Sequence, residues 1–185
     1  MRLLSLVLLT AAAWAADPLA NRRAPGFALP DIDFNYHDLY DYRGKIVLLD
    51  IIQTSCPACN SSAKIYETIR QKFPGKVTIL TIATVPDTQD TVRQFIGRNG
   101  VKTPVLFDCS QVTGSYLKAT PKTTEITLPH VFVIDEKGWI QYHHVYAQGQ
   151  EKYFESLEPV LEEVTGLVAK MGGGAASNKS GAKKK

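Results

Sequence analysis

Apolar residues along this chain fall into two alternating patterns: short unbroken runs and one-sided stripes of helical period. Ile46-Val47-Leu48-Leu49 and Ile51-Ile52 nearly fill Lys45 to Ile52, as in a strand covered on both faces. From Cys59 to Phe73 the spacing changes. Ser62, Tyr66, Ile69 and Phe73 stand at i, i+4, i+7 and i+11, with Ile65 beside Ile69. That predicts a helix stopped by Pro74-Gly75. Val77 to Ala83 is a second buried strand. Thr88 to Asn99 is a second helix, with Asp87 as its N-cap, Val92, Phe95 and Ile96 inward, and Gly100 as its stop. Pro104 to Phe107 is a third strand, and Ser110 to Lys118 supplies one or two helical turns.

Residues 119–128 are polar and Thr-rich, hence a loop. Val131 to Ile134, the turn Asp135-Glu136-Lys137-Gly138 and Trp139 to Val145 form a hairpin. Gln150 to Ala169 is a last helix with Phe154, Leu157, Leu161, Val164 and Val168 on one stripe. Near the start, Ala16 to Pro25 is an extended lead-in, and the segment from Phe27 to Gly44 fits a short hairpin before the main sheet. The order β-α-β-α-β, hairpin, α implies an α/β three-layer sandwich: a central mixed sheet with helices on both faces.

The two ends stand apart from this pattern. Arg2, the uncharged apolar stretch Leu3 to Trp14 and Ala13-Trp14-Ala15 read as a signal peptide over 1–15. The stretch is shorter than the roughly 20 residues of a spanning helix. The expected domain is 16–170, and 171–185 is a tail of Gly, Ala, Ser, Asn and Lys that cannot bury enough surface to order itself. The formal charge of +3 comes from the ends. Without Arg2 and Lys170, Lys179, Lys183, Lys184 and Lys185, the remainder is mildly acidic. No nucleic-acid partner is expected. The terminal lysines are the one feature suited to an anionic membrane surface. The expected product is secreted (periplasmic if bacterial) and monomeric.

The chemistry gathers where the first strand meets the first helix, in Asp50-Ile51-Ile52-Gln53-Thr54-Ser55-Cys56-Pro57-Ala58-Cys59. A thiol at a helix N-terminus faces unpaired N–H groups and the positive end of the dipole, which stabilise its anion. A free thiol near pKa ~8.5 supplies little thiolate at neutral pH. Cys56 is therefore the expected exposed nucleophile and Cys59, one turn on, the buried resolving thiol. Pro57 suits the first helical position, and Pro57-Ala58 adds no charge between the cysteines. Asp50, inside an apolar strand, should be desolvated and able to take a proton from Cys59. The alternative for Asp50 is a purely structural hydrogen bond.

On these residues the chain resembles the thioredoxin superfamily, and within it the secreted TlpA/ResA-like thiol–disulfide oxidoreductases. The resemblance runs from about Ala24 to Ala169. It includes Ala24-Pro25-Gly26-Phe27-Ala28-Leu29-Pro30-Asp31, Tyr42-Arg43-Gly44-Lys45-Ile46-Val47-Leu48-Leu49, and Leu128-Pro129-His130-Val131-Phe132-Val133-Ile134-Asp135-Glu136-Lys137-Gly138. It implies a cis Leu128–Pro129 bond beside Cys56 that helps dock substrate, with Pro121 as the rival. It also implies a buried acid at Asp50, cysteine-containing protein substrates, an upstream thiol partner, and no cofactor or metal beyond the Cys56/Cys59 pair. The chain departs from the family at Ser55 (usually Trp), at Ser62 (an acid), at Lys64 (a helix-kinking proline), and by about half a dozen extra residues between Tyr116 and Pro129.

Cys109, after Phe107-Asp108, is expected to be a small buried residue, the alternative being a second redox or regulatory thiol. His130 is expected at the surface or a sheet edge, the alternative being an imidazolium beside Cys56. His143 and His144 must face opposite sides of a strand, and His37 has no visible partner. Two other functions compete. A peroxiredoxin-like peroxidase resembles Pro-x-x-x-Thr/Ser-x-x-Cys, but Leu49 and Gln53 occupy those positions. A Cu(I)/Zn metallochaperone would use Cys56 and Cys59 with His130 or Cys109. A structural Cys56–Cys59 bridge would close too short a loop to stabilise much.

Overall fold

A computed structural model describes residues 17–123, 125–146 and 153–173. Segment 1–15 and the tail past Gly173 lie outside them. The elements are β1 (Arg22–Arg23), β2 (Ala28–Pro30), β3 (Tyr36–Asp38), a 3-10 turn (Leu39–Tyr42), β4 (Ile46–Ile52), α1 (Pro57–Lys72), β5 (Val77–Ala83), α2 (Gln89–Asn99), β6 (Val105–Phe107), α3 (Gln111–Leu117), β7 (His130–Ile134), β8 (Trp139–Val145) and α4 (Tyr153–Gly173).

Six strands form one mixed sheet in the order β1-β8-β7-β4-β5-β6, and β2 and β3 pair as a separate hairpin. β4 is central. It runs parallel to β5 and antiparallel to β7, with Asp50 level with Thr81 on one side and Val131 on the other. Every β4 residue is buried, which is why its sequence runs apolar without alternating.

Strand alternation divides the core. Val47, Leu49 and Ile51 join Leu80, Ile82, Phe132 and Ile134 under Val112 and Tyr116 of α3 and Phe27, Leu29 and Leu39 of the N-terminal hairpin and turn. On the other face, Ile46 and Leu48 pack with Tyr66 and Ile69 of α1 and with Val160 and Val164 of α4. Ile52, beyond them, packs with Cys59, Val92 and Phe95. The even-numbered face of β4, which includes Asp50, is thus covered by α1, α2 and α4. The odd-numbered face lies under α3 and the hairpin. These are the three layers the sequence predicts.

Some boundaries differ from the sequence reading. Part of the lead-in is a strand: β1 pairs with β8, Arg22 opposite Ile140, and Arg22 donates to the Tyr116 carbonyl at 2.9 Å. Two residues are too few for any periodicity to mark them. The N-cap of α2 is Thr88, in a reciprocal capping box with Thr91. Asp87 is instead turned toward Thr54. The last helix runs to Gly173 because Met171 still finds the apolar cluster under α4. Gln150 and the Phe154 side chain lie outside the description.

Candidate active site

β4 ends at Ile52, and a short turn leads into α1, with the Cys56 N–H donating to the Gln53 carbonyl at 3.0 Å. Cys56 has extended backbone and caps α1; its Sγ accepts the Cys59 N–H at 3.2 Å, and Pro57 opens the helix. Cys56 is half-buried, Cys59 is fully buried, and both are free thiols. The Cys56 thiol also points to the Leu128 carbonyl, 3.9 Å away. Leu128–Pro129 is a cis peptide, as is Val85–Pro86; Pro121 is not cis.

The two thiols differ sharply in acidity. Hydrogen bonding from the Cys59 side chain, opposed by partial burial and helped by the N–H groups of Cys59 and Ala58, lowers the Cys56 thiol to about 6. Burial pushes the Cys59 thiol far up, and its bond to Cys56 and the charges of Asp50 and Cys56 push the same way. Asp50 is fully buried. Desolvation raises its carboxyl well above the ordinary range, the Cys56 charge adds to this, and the Tyr66 side chain offsets part. Its Oδ1 accepts no hydrogen bond among the described residues.

A hydrogen-bond network that no sequence pattern marks fixes the active-site turn. Asn60 Nδ2 donates to the carbonyls of Thr54 (2.9 Å) and Cys56 (2.8 Å). Its Oδ1 accepts from Arg98 Nη2 at 2.9 Å and Asn99 Nδ2 at 2.7 Å. Arg98 also reaches the Thr54 carbonyl at 3.2 Å. Asp87 takes the Thr54 N–H at 2.8 Å and its hydroxyl at 2.5 Å. The end of α2 thus grips the turn that presents Cys56. Asn60, directly after Cys59, could have been singled out by position. Arg98 could not, because the contact spans 38 positions.

Two further expectations are corrected. Cys109 is exposed, not buried. It follows Asp108, whose carboxylate caps α3 by accepting from Val112 and Thr113 at 2.9 Å each, and that cap turns the next residue outward. His130 is neither at an edge nor beside Cys56. It opens β7, which lies between β4 and β8, opposite Ile51 and Val145. Its side chain shares the α3 face with Phe132 and stacks on His143 at 5.1 Å. Burial and the neighbouring His143 lower it to about 4, so it is neutral at pH 7. His37 does have partners, Tyr42 at 2.7 Å and Asp31 at 3.0 Å. Among the described residues no three His, Cys, Asp or Glu side chains converge as a metal site requires.

Beside Cys56, a groove of about 660 Å³ runs from Leu128 along the 119–126 loop and α3 to Gln53 and Val85 at the carboxyl ends of β4 and β5. The extra residues after Tyr116 build one wall of it. Val85 at its mouth is 66% exposed.

A central mixed sheet, a helix-capping thiolate followed by a buried thiol, and a cis-proline turn in front of them define a thioredoxin-fold thiol–disulfide oxidoreductase. The chain belongs to the AhpC/TSA family, whose profile matches residues 20–143. It is 24% identical over 139 residues to the thioredoxin-like protein YneN of Bacillus subtilis, covering 74% of this chain and 78% of that one. It is 26% identical over 145 residues to the thiol-disulfide oxidoreductase ResA of Bacillus anthracis, covering 78% of each. In fold it is similar to the thioredoxin domain of a Bacteroides vulgatus thiol-disulfide oxidoreductase, with TM-score 0.61, 18% identity and coverage of 78% and 96%. It is also similar to a secreted Mycobacterium tuberculosis disulfide oxidoreductase, with TM-score 0.59, 18% identity and coverage of 76% and 96%.

Proposed function

We propose that the protein exchanges thiols and disulfides with client proteins outside the cytoplasm, with Cys56 as nucleophile and Cys59 as resolving thiol. The observation that carries this is the asymmetry of the pair: one accessible thiol lowered to about 6 at a helix N-terminus, its partner buried and raised. At neutral pH the Cys56 thiolate attacks a client disulfide. One client sulfur joins Cys56 and the other leaves as a thiolate that takes up a proton. Cys59 then loses its proton and attacks the Cys56 sulfur, giving the Cys56–Cys59 disulfide and the second client thiol. Two electrons pass to the client, and an upstream dithiol partner restores the pair; the reverse sequence oxidises a client.

Asp50 is the proton acceptor for Cys59 in this reading. While Cys56 is a thiolate, its charge helps keep the Asp50 carboxyl protonated. Capture of Cys56 in the mixed disulfide removes that charge, so Asp50 ionises more readily at the step where Cys59 must lose a proton. Leu128 and Pro129 dock the client backbone, and Pro57 and Ala58 shape the contact surface around Cys56. The relatives' names support the dithiol reading over a peroxidase, as does the lack of the peroxidatic spacing before Cys56. The apolar segment at 3–14 and the secreted relative support an extracytoplasmic site.

The test is the alkylation rate of Cys56 against pH, together with insulin reduction by the reduced protein. The expected profile has its midpoint near 6 and turnover requires both cysteines. A midpoint near the free-thiol value of ~8.5, without insulin reduction, overturns the proposal. Peroxide consumption matching the best thiol peroxidases would move the assignment to that class.

A further inference from the structure

We infer that the polar hollow between α1 and α2 is a client subsite: it takes an acidic side chain two or three residues from the client's reacting cysteine, and Lys64 and Arg98 are the groups that bind it. The inference rests on the reading of Cys56 as the reacting thiol and adds the kind of sequence around a client cysteine that this thiol meets best.

Helix spacing builds the hollow. Pro57, Asn60, Ser61 and Lys64 stand at i, i+3, i+4 and i+7 on α1, and Thr91, Gln94 and Arg98 at i, i+3 and i+7 on α2. Both stripes line one space of about 630 Å³, together with Thr54 and Ser55 of the active-site turn. Ser55 and Pro57 are the chain neighbours of Cys56, so the hollow borders the reacting residue.

Its charge is one-sided. Arg98 spends Nε and Nη2 on neutral oxygens only: Asn60 Oδ1 at 3.1 and 2.9 Å and the Thr54 carbonyl at 3.2 Å. These bonds fix the guanidinium and leave the two N–H groups of Nη1 without a partner among the described residues. Lys64 is exposed and makes no ion pair among them. The nearby carboxylates are engaged elsewhere. Asp87 accepts the Thr54 N–H and hydroxyl and the Thr91 hydroxyl, Asp90 pairs with Arg93, and Glu67 with Arg70. The first turn of α1 carries no acid to offset the positive end of its dipole. Two cations therefore line the hollow and no carboxylate does.

The groove on the Leu128 side of Cys56 is the contrast. No Lys, Arg or His lines it, and its one carboxylate, Asp108, is spent on capping α3. An acidic client residue thus gains on one side of the thiol and not on the other. Pro57 and Lys64 are separated along α1 by about 10 Å, a span that an extended client covers in about three residues. That distance sets where the acid stands relative to the client cysteine.

The test uses the reduced full chain and synthetic peptides whose single cysteine is held in a disulfide with 5-thio-2-nitrobenzoate. Cys56 attacks the peptide sulfur, the coloured aryl thiolate leaves, and Cys59 then releases the peptide thiol as the Cys56–Cys59 disulfide forms. Each peptide carries Glu, Gln or Lys three residues before or after its cysteine. In one of the two placements kcat/KM should fall in the order Glu, Gln, Lys, with Glu about 3- to 5-fold above Gln at low salt. The ratio should approach 1 in 1 M NaCl, where the screening length is about 3 Å. Lys64→Glu, at an exposed position, should reverse the order of the Glu and Lys peptides. The readout is a ratio, so any change in Cys56 reactivity common to all peptides cancels. The Glu peptide with Ser in place of its cysteine should shift the NMR signals of Arg98 Nε–H and Ser61 N–H and leave Thr120 and Ile126, in the opposite groove, unmoved. Equal rates for the Glu and Gln peptides at low salt, or a Glu preference that survives Lys64→Glu, would overturn the inference. If no peptide releases the aryl thiolate, the reading of Cys56 falls and the shifts decide the subsite: movement at Arg98 supports it, and none overturns it.

Discussion

The backbone N–H of Cys59 donates to the sulfur of Cys56 across 3.2 Å, so the resolving residue helps make its partner acidic. The Cys59 side chain is the largest influence lowering Cys56, ahead of the backbone contribution. Cys59→Ala should therefore move the midpoint of Cys56 alkylation up from about 6 toward the free-thiol range. Cys59→Ser keeps a donor and should lie between the two. Iodoacetamide rates across pH 4–10 would check the order; equal midpoints in all three proteins would refute it.

Asp50 should leave an imprint on stability as well as on turnover. Its carboxyl is raised in the folded state, whereas in the unfolded chain it titrates near ~3.9. Below that pH both states hold the proton. As pH rises past it, only the unfolded chain releases the proton, and stability is lost until the folded value is passed. Asp50→Asn removes this loss. Its Tm should lie closest to the parent's at about pH 4 and exceed it by a growing margin toward pH 8, while turnover falls roughly 10- to 100-fold. A Tm difference constant with pH would count against a titrating Asp50.

Asn60 holds two carbonyls of the turn at once. Asn60→Ala leaves the Cys56 carbonyl without its side-chain donor and frees Arg98 and Asn99 from their shared acceptor. The expected cost is about 1–3 kcal/mol, read by urea denaturation, with a lower client kcat/KM. Loss of stability without loss of kcat/KM would mean that the network braces the fold but does not aim Cys56.

Cys109 lines a separate hollow with Tyr36 and Phe107 and has no part in the proposed exchange. Cys109→Ser should leave the redox titration of the Cys56/Cys59 pair and insulin reduction unchanged. Being exposed, Cys109 should also be the thiol labelled fastest by a bulky maleimide under native conditions at pH 8, after Cys56 is accounted for. A shifted pair potential in Cys109→Ser would show that the third thiol is coupled.

The layers and the Cys56/Cys59 geometry were legible because they are written locally. Ile46 to Ile52 is apolar at every position but Asp50. A helix stripe follows within one turn of the cysteines, and the proline before β7 is next to the strand it introduces. What stayed hidden depends on contacts between distant segments. Arg98 meets Asn60, and Asp17 meets His143 across 126 positions. The exposure of Cys109 follows from the Asp108 cap, and β1 is visible only through its partner. The alternative for His130, an imidazolium beside Cys56, rested on adjacency to Pro129, but strand alternation sends the ring to the face away from α1.

Each border of the six-stranded sheet is partly covered. β1 covers β8 with two residues, and at the far side Asp31 bridges Leu106 of β6. A row of unpaired N–H and C=O groups is what lets a sheet recruit another chain's strand; the far rim is only the three residues of β6, whereas β8 continues to Val145 past the two residues that β1 pairs. The candidate site is set apart from both rims, because Cys56 follows β4, a strand inside the sheet. In the proposed exchange a client therefore meets the protein end-on, at the strand tips, with its backbone at the Leu128–Pro129 turn and its sulfur at Cys56.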